Sequence, residues 1–190
     1  MDFSIDMETR AQLEAFESFC QTEILPFSKA VDQRSEVPLN HIKKLVKIGY
    51  YETFFNKENG GLGLPWLQRV FLQESLAKVC GSTYLSVGAS LGLFGSVIET
   101  LGTAAQRENI IPGLLNGELT GCLALTESSG GSNLKNTTTK IEDLGDHYLL
   151  NGEKVLITNS TTADFAAVLA THSGDEEKFS LLLVNLNDSE

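Results

Sequence analysis

The stretch Asn116-Gly117-Glu118-Leu119-Thr120-Gly121-Cys122-Leu123-Ala124-Leu125-Thr126 divides the chain into two kinds of sequence. Before it, apolar residues recur at steps of three and four, the spacing of one face of a helix. After it they come in short runs bounded by turn residues, the habit of strands. Asn116-Gly117 reads as a helix stop, because glycine accepts the left-handed conformation that ends a helix. Residues 121–126 form a short apolar run of strand length. Helices followed by strands without alternation imply segregated structure, α+β rather than α/β. The expected fold is an N-terminal antiparallel helical bundle over residues 1–119. An antiparallel β-barrel or sheet over residues 120–190 follows, incomplete at its C-terminal end.

Upstream, Leu13, Phe16, Cys20, Ile24, Phe27 and Val31 predict a helix over 13–31. Glu14, Glu17 and Glu23 face outward, and Pro26 interrupts it. A second helix starts near Pro38, buries Leu39, Ile42 and Leu45 or Val46, and ends at Gly49. Residues 59–65 are a loop by composition. A third helix spans 66–80 with Gly81 as its left-handed cap. Ser82 caps a fourth over 83–101, which stops at Gly102. Thr103-Ala104-Ala105-Gln106 has capping-box spacing and opens a fifth, interrupted at Pro112. Gly88, Gly92 and Gly95 strip one face of the fourth helix of side chains. Each costs about 1 kcal/mol relative to alanine, so the face serves either close helix packing or a ligand.

Downstream, Glu127-Ser128-Ser129-Gly130-Gly131-Ser132-Asn133 is a loop dense in hydroxyls and glycines, able to hold a flat polar heterocycle or an anion. Residues 137–144 alternate, and Gly145-Asp146 is a turn. Asn151-Gly152 predicts a two-residue hairpin between 147–150 and 153–158. Runs at 163–171 and 179–185 complete the sheet.

The 25 acidic against 14 basic residues give a net charge of −11, with no general electrostatic reason to bind nucleic acid or an anionic membrane. Residues 81–98 carry no charge, but interspersed serines and threonines favour a buried helix over a membrane span. Cys20, Cys80 and Cys122 are odd in number and read as reduced, buried thiols of a cytoplasmic protein. Met1-Asp2-Phe3-Ser4-Ile5-Asp6 has no leader pattern. His41, His147 and His172 are far apart, and no Cys or His pair has metal-ligand spacing, so no metal is expected. Nucleophile-elbow and phosphate-loop motifs are missing. Glu74, alone between apolar turns, reads as a solvated carboxylate.

The order of residues is more specific than their types. Residues 122–133, with Leu125-Thr126-Glu127 running into Gly130-Gly131-Ser132-Asn133, resemble the flavin-binding signature of acyl-CoA dehydrogenases. Asn151-Gly152-Glu153-Lys154-Val155-Leu156-Ile157-Thr158-Asn159 resembles the family's second signature, Asn-Gly-x-Lys followed by Trp-Ile-Thr-Asn. Glu58-Asn59-Gly60-Gly61-Leu62-Gly63 and Gly102-Thr103 support it.

The resemblance implies an N-terminal helical domain, a central β-barrel and a C-terminal helical domain, with FAD as cofactor. By resemblance Leu123, Leu125 and Thr126 line the flavin, Leu156, Ile157 and Thr158 approach it, and Gly131 and Ser132 hold it. Ser132 also meets substrate, and Tyr84, Val87, Gly88 and Leu91 line the acyl pocket, their bulk suggesting a short chain. The reaction implied is α,β-dehydrogenation of an acyl-CoA or acyl-carrier-protein thioester. Electron-transfer flavoprotein or oxygen is the implied acceptor, in a homodimer or homotetramer. The general-base glutamate is expected beyond Glu190, with no catalytic residue in these 190. A non-catalytic flavin-binding subunit needing a partner chain is the alternative. Leu156 stands where the family has Trp, Ser128-Ser129 where it has Pro-Gly, and Asn133 where it has Asp.

Overall fold

A computed structural model describes residues 4–34 and 38–187, leaving outside it Met1 to Phe3 of the N-terminal stretch read above and Glu190. The chain forms two compact units that meet in sequence between Glu118 and Leu119.

The first unit is helical: α1 (Met7–Phe19), α2 (Leu25–Arg34), α3 (Leu39–Lys47), α4 (Trp66–Val79), α5 (Gly81–Val87), α6 (Ser96–Leu101) and α7 (Ala104–Leu115). Asp6 caps α1 by accepting from the Thr9 amide at 2.7 Å. Pro26 does not break the first helix. A π-helical turn over Cys20–Ile24 joins α1 to α2, and the Leu25 amide bonds the Cys20 carbonyl five residues back. That wider turn accommodates the missing donor and the ring of Pro26. A second π segment, Gly88–Gly95, joins α5 to α6. The resulting run Gly81–Leu101 is long and apolar enough to cross a membrane. Leu91, Phe94 and Ile98 of it are buried in the core of this unit.

Two capping expectations need correction. Gly81 is not a left-handed cap, because Cys80 is extended (φ −154°, ψ 98°) and itself separates α4 from α5. Ser82 lies inside α5, where its hydroxyl bonds Asp32. By contrast Thr103 and Gln106 form the reciprocal box. α7 runs through Pro112 and stops at Gly117, φ +72°.

The core gathers Ile24, Leu45, Phe55, Leu76, Phe94, Ile111 and Leu114, with Phe16 stacked on Tyr50 at 4.9 Å. On α3 the predicted face is rotated: Leu39 is exposed and His41 is buried beside Leu45. The Thr83 hydroxyl donates to Cys80 Sγ at 3.1 Å and lies 2.7 Å from His41 Nδ1, leaving Nδ1–H to donate to it. His41 Nε2 is then a buried lone pair without a partner.

The three glycines of the apolar helix divide. A Cβ on Gly95 would lie 2.8 Å from the Phe55 ring and one on Gly92 would lie 3.4 Å from Phe54. A Cβ on Gly88 would meet nothing within 4 Å. Gly95 therefore serves close packing, a side chain on Gly92 would make ordinary contact with Phe54, and Gly88 faces open space.

The second unit is a five-stranded open sheet of β1 (Gly121–Ala124), β2 (Lys140–Asp143), β3 (Tyr148–Asn151), β4 (Phe165–His172) and β5 (Asp175–Asn185). It is mixed, not purely antiparallel. β1 and β2 each pair parallel with β4, while β2–β3 and β4–β5 are antiparallel. β5 occupies one edge of β4 along residues 165–171, so β1 and β2 share the other. Ala124 stands opposite Val168 and Lys140 opposite Thr171. Residues 125–139 are thus a loop spliced into one edge line, where two positions facing Leu169 and Ala170 would otherwise suffice.

The predicted Asn151-Gly152 hairpin is absent. The hairpin lies at residues 144–147, closed by Leu144 N–H to the His147 carbonyl at 3.0 Å. Gly152 (φ +155°) instead crosses Thr139, where a Cβ would come within 2.5 Å of its hydroxyl. The chain then leaves the sheet, and residues 153–158 form no strand.

Gly95→Ala is expected to destabilise the helical unit by about 1–3 kcal/mol through overpacking. Gly88→Ala is expected to stabilise it by about 1 kcal/mol; urea melts followed by helical circular dichroism measure both. His41 gives a pH test. Burial, and then the nearby Lys44 ammonium, hold its imidazole below the ordinary value of 6.5. Its contribution is therefore full above 6.5 and lost as pH falls and the unfolded chain takes up the proton. The melting temperature of the helical unit should drop between about pH 7.5 and about pH 5, and His41→Gln should flatten that slope.

Candidate functional site

The loop spliced between β1 and β2 is organised by one carboxylate. Glu127 is drawn inward at the end of β1, with its side chain 4% exposed. Its Oε2 accepts from the Thr138 amide and hydroxyl, both at 2.6 Å. Its Oε1 accepts from the Thr139 amide at 3.0 Å, the Thr139 hydroxyl at 2.6 Å and Lys154 Nζ at 2.8 Å. Burial alone would push this carboxyl up. The Lys154 ammonium, the two hydroxyls and the Thr138 amide outweigh it and hold the group well below the usual carboxylate range. A carboxylate so saturated is an ionised scaffold and does not take up protons as a base.

The two ends of the loop meet there. Thr138 and Thr139 precede β2, while Glu127 follows β1. The Glu127 amide and carbonyl exchange hydrogen bonds with Gly130 at 3.1 and 3.0 Å, so Ser128-Ser129 form the tip of a tight turn closed by Gly130 at φ +142°. Gly131 packs over Thr126; an added Cβ would lie 3.1 Å from its hydroxyl. Asn133 Oδ1 accepts from the Lys135 amide at 3.2 Å and caps the short 3-10 turn Leu134–Asn136.

The second stretch, after Gly152, docks against the first. Val155 N–H bonds the Thr126 carbonyl at 2.9 Å, and Lys154 Nζ bonds the Leu125 carbonyl at 3.0 Å. Residues separated in sequence by most of β2 and β3 are thereby held side by side. Leu156 (φ +58°) and Asn159 (φ +68°) both take left-handed conformations, which cost a non-glycine residue about 1 kcal/mol or more. Leu156 is 92% exposed, an apolar side chain held in water by a strained backbone. Ile157 turns the other way and packs on Cys122, Ala163 and Ala166, while Thr158 is exposed.

Of the flavin-facing residues expected from sequence, the structure brings Leu125, Thr126 and Gly131 together with the stretch carrying Leu156 and Thr158. Leu123 is part-buried in β1, Ser132 is exposed in the loop, and Ile157 faces the core of the unit. The hydroxyls of Thr126, Ser132 and Thr158 make no protein hydrogen bond among the described residues. The acyl-pocket set lies in the helical unit. There Tyr84 is part-buried and Gly88 is open, whereas Val87 and Leu91 are buried in the core. Glu74 is exposed and pairs with Lys78 at 3.1 Å. Sequence reasoning missed the parts played by Glu127, Thr138, Thr139 and Lys154. The run Thr137-Thr138-Thr139 just before β2 was the available signal, a row of hydroxyls beside backbone amides that a buried carboxylate can collect. Among the described residues no group of three His, Cys, Asp or Glu is placed to hold a metal ion.

Glu127 makes the β unit acid-sensitive. A depressed carboxylate contributes stability above its unfolded value of 4.5, and that contribution is lost as pH falls. Glu127→Gln should cost about 3 kcal/mol at neutral pH, because it leaves Lys154 buried without a counter-charge. It should also remove most of the loss of stability between about pH 5 and about pH 3, measured by denaturant unfolding.

Comparison with known proteins places this geometry. The model of the acyl-CoA dehydrogenase N-terminal domain matches residues 6–118, and that of the acyl-CoA dehydrogenase middle domain matches residues 122–190. A short-chain specific acyl-CoA dehydrogenase of Clostridium acetobutylicum is 33% identical over 172 residues, covering 90% of this chain and 45% of that protein. The crystal structure of an acyl-CoA dehydrogenase from Geobacillus kaustophilus superposes with a TM-score of 0.86 at 28% identity, over 96% of this chain and 49% of that one. One from Bacillus anthracis, complexed with FAD, gives a TM-score of 0.87 at 28% identity, over 97% of this chain and 32% of that one. The chain thus spans about half the length of these relatives or less. The two family domains follow one another along the sequence and change over where the helical unit gives way to the sheet: the chain belongs to the acyl-CoA dehydrogenase family.

Proposed function

We propose that the chain supplies the flavin-facing β surface and part of the acyl-binding helical domain of a FAD-dependent acyl-CoA dehydrogenase. When bound, FAD supplies the hydride acceptor for α,β-dehydrogenation of an acyl thioester. The observation that carries this reading is Leu156. An apolar side chain held out into water at the cost of a left-handed backbone is a surface built to be covered. A flat heterocycle fits it, because the Thr126 carbonyl is bonded to Val155, next to Leu156, and the hydroxyls of Thr126 and Thr158, without protein partners among the described residues, offer donors and acceptors along the same stretch. Gly131 leaves the Thr126 hydroxyl uncovered.

In this reading Leu156 forms an apolar wall and excludes water. The Thr126 and Thr158 hydroxyls orient the cofactor's polar edges, and Ser132 bonds both cofactor and thioester. Leu123 and Ile157 support the wall from behind. Tyr84 and the open flank at Gly88 contact the acyl chain, and the bulk of Tyr84 favours a short one. Val87 and Leu91 shape that surface from the core beneath it. The Clostridium relative, named short-chain specific, is consistent with this preference. Removal of the α-proton requires a carboxylate that none of the residues described above supplies, Glu127 being committed to its donors. Electron-transfer flavoprotein as acceptor, and a homo-oligomeric assembly, complete the proposal.

The test starts with the purified chain and FAD. A shifted visible flavin spectrum is expected, with dye-linked oxidation of butyryl-CoA in preference to octanoyl-CoA once a polypeptide supplying the base is present. A flavin spectrum identical to that of free FAD overturns the reading. Leu156→Gly should raise the melting temperature of the β unit by about 4 °C while weakening FAD binding several-fold. A substitution that stabilises the fold and spares flavin binding would show that the strain serves something else.

A further inference from the structure

We infer that Lys154 is a positioning residue for the Leu125–Thr126 peptide, acting through the Leu125 carbonyl and not merely as the counter-ion of Glu127. The inference rests on the flavin reading above. Glu127 already has four donors without Lys154, namely the amides and hydroxyls of Thr138 and Thr139. Its two oxygens offer about four lone-pair sites, so Lys154 is not needed to satisfy their hydrogen bonding. The ammonium nevertheless lies in the interior of the unit, with its side chain 8% exposed. What it does there that no threonine does is donate to the Leu125 carbonyl at 3.0 Å.

The consequence follows from peptide geometry. Val155 N–H holds the Thr126 carbonyl at 2.9 Å, so residues 154 and 155 bind two successive carbonyls of the first stretch. A trans peptide is planar, and the N–H of Thr126 points opposite to the Leu125 carbonyl. Fixing that oxygen on Lys154 therefore turns the Thr126 N–H away from it. A charge on the oxygen of an amide also polarises its N–H, making it a stronger donor. Lys154 thus sets both the direction and the strength of the backbone donor at Thr126, the residue whose side-chain hydroxyl stands free beside Gly131.

The test compares Glu127→Gln with the double variant Glu127→Gln/Lys154→Met in the full chain. The double variant carries neither buried charge, so it remains a foldable background even where Lys154→Met alone does not. Amide hydrogen exchange is measured without flavin, and visible circular dichroism with FAD bound. Relative to Glu127→Gln, the double variant should exchange the Val155 amide about tenfold faster, while the β4 and β5 amides, relieved of the unpaired Lys154 charge, exchange no faster. It should also alter the flavin dichroism. If the two variants are indistinguishable in exchange, or if exchange accelerates uniformly over the unit, Lys154 is only a counter-ion and the inference falls. If the unsubstituted chain binds no FAD, the flavin reading fails, while exchange at Val155 still decides the role of Lys154.

Discussion

The β unit depends on the neutralisation of one buried carboxylate. Glu127 sits where a continuous edge strand has been opened to admit residues 125–139. Opening an edge leaves backbone donors at the neck of the insertion with no ladder partner, and unsatisfied donors inside a protein cost free energy. The carboxylate collects two of those amides, Thr138 and Thr139, together with their hydroxyls. One side chain from the strand end therefore ties together both sides of the gap. Lys154 supplies the compensating charge and brings the second stretch with it. Without such a clasp the loop would be held only by β1, β2 and the bonds from residues 154 and 155 to its first carbonyls. With it, the loop's base is pinned to the sheet on both sides of the gap.

β4 explains why this neck can be so narrow. Its outer edge is fully paired by β5, so both β1 and β2 must form parallel ladders on the remaining edge. The Thr171 amide bonds the Thr139 carbonyl at 2.9 Å and seats the start of β2 immediately beyond the gap. Gly152 then passes so close to Thr139 that a side chain cannot fit. The chain is forced off the sheet at that point and down onto Thr126. The left-handed residues Leu156 and Asn159 lie within this diverted segment, at the places where it turns beneath the loop.

Local signals were legible wherever a single residue type has a single physical use. Thr103 with Gln106, Gly117 and the change of period near residue 120 were all readable, because a capping box, a left-handed stop and a switch from helix to strand spacing need no tertiary information. The Asn151-Gly152 pair was misread for the opposite reason. Its glycine serves a crossing over Thr139, thirteen residues earlier in the chain and invisible to a local rule. The two π segments were likewise hidden, since residue spacing reports a helix but not whether its bonds reach four or five residues back. In the apolar helix Val87 and Leu91 point inward and Gly88 is left open. The parallel pairing of β1 and β2 with β4 could not be anticipated, because pairing partners are set by topology and not by the strands' own patterns. Of the candidate site, both signature stretches were visible as motifs. The Glu127 clasp that joins them was not.

Two of the three departures from the family pattern fall where the structure has another means of doing the same work. Pro-Gly in a turn lowers the entropy of the free chain and fixes φ; Ser128-Ser129 does neither. The turn still closes, through the reciprocal bonds between Glu127 and Gly130, and Glu127 is already immobilised by its five donors. Asn133 in place of Asp keeps the oxygen that caps the following 3-10 turn, and gives up only a charge. Leu156 in place of Trp keeps an apolar surface but loses the flat aromatic face and its larger contact area. The first two changes leave the loop's geometry intact because hydrogen bonds at its base substitute for local rigidity. The third is not compensated by any neighbouring aromatic residue in residues 151–159. The loop therefore keeps its closure and is altered in what it offers a planar ligand, and this difference bears on cofactor affinity more than on folding.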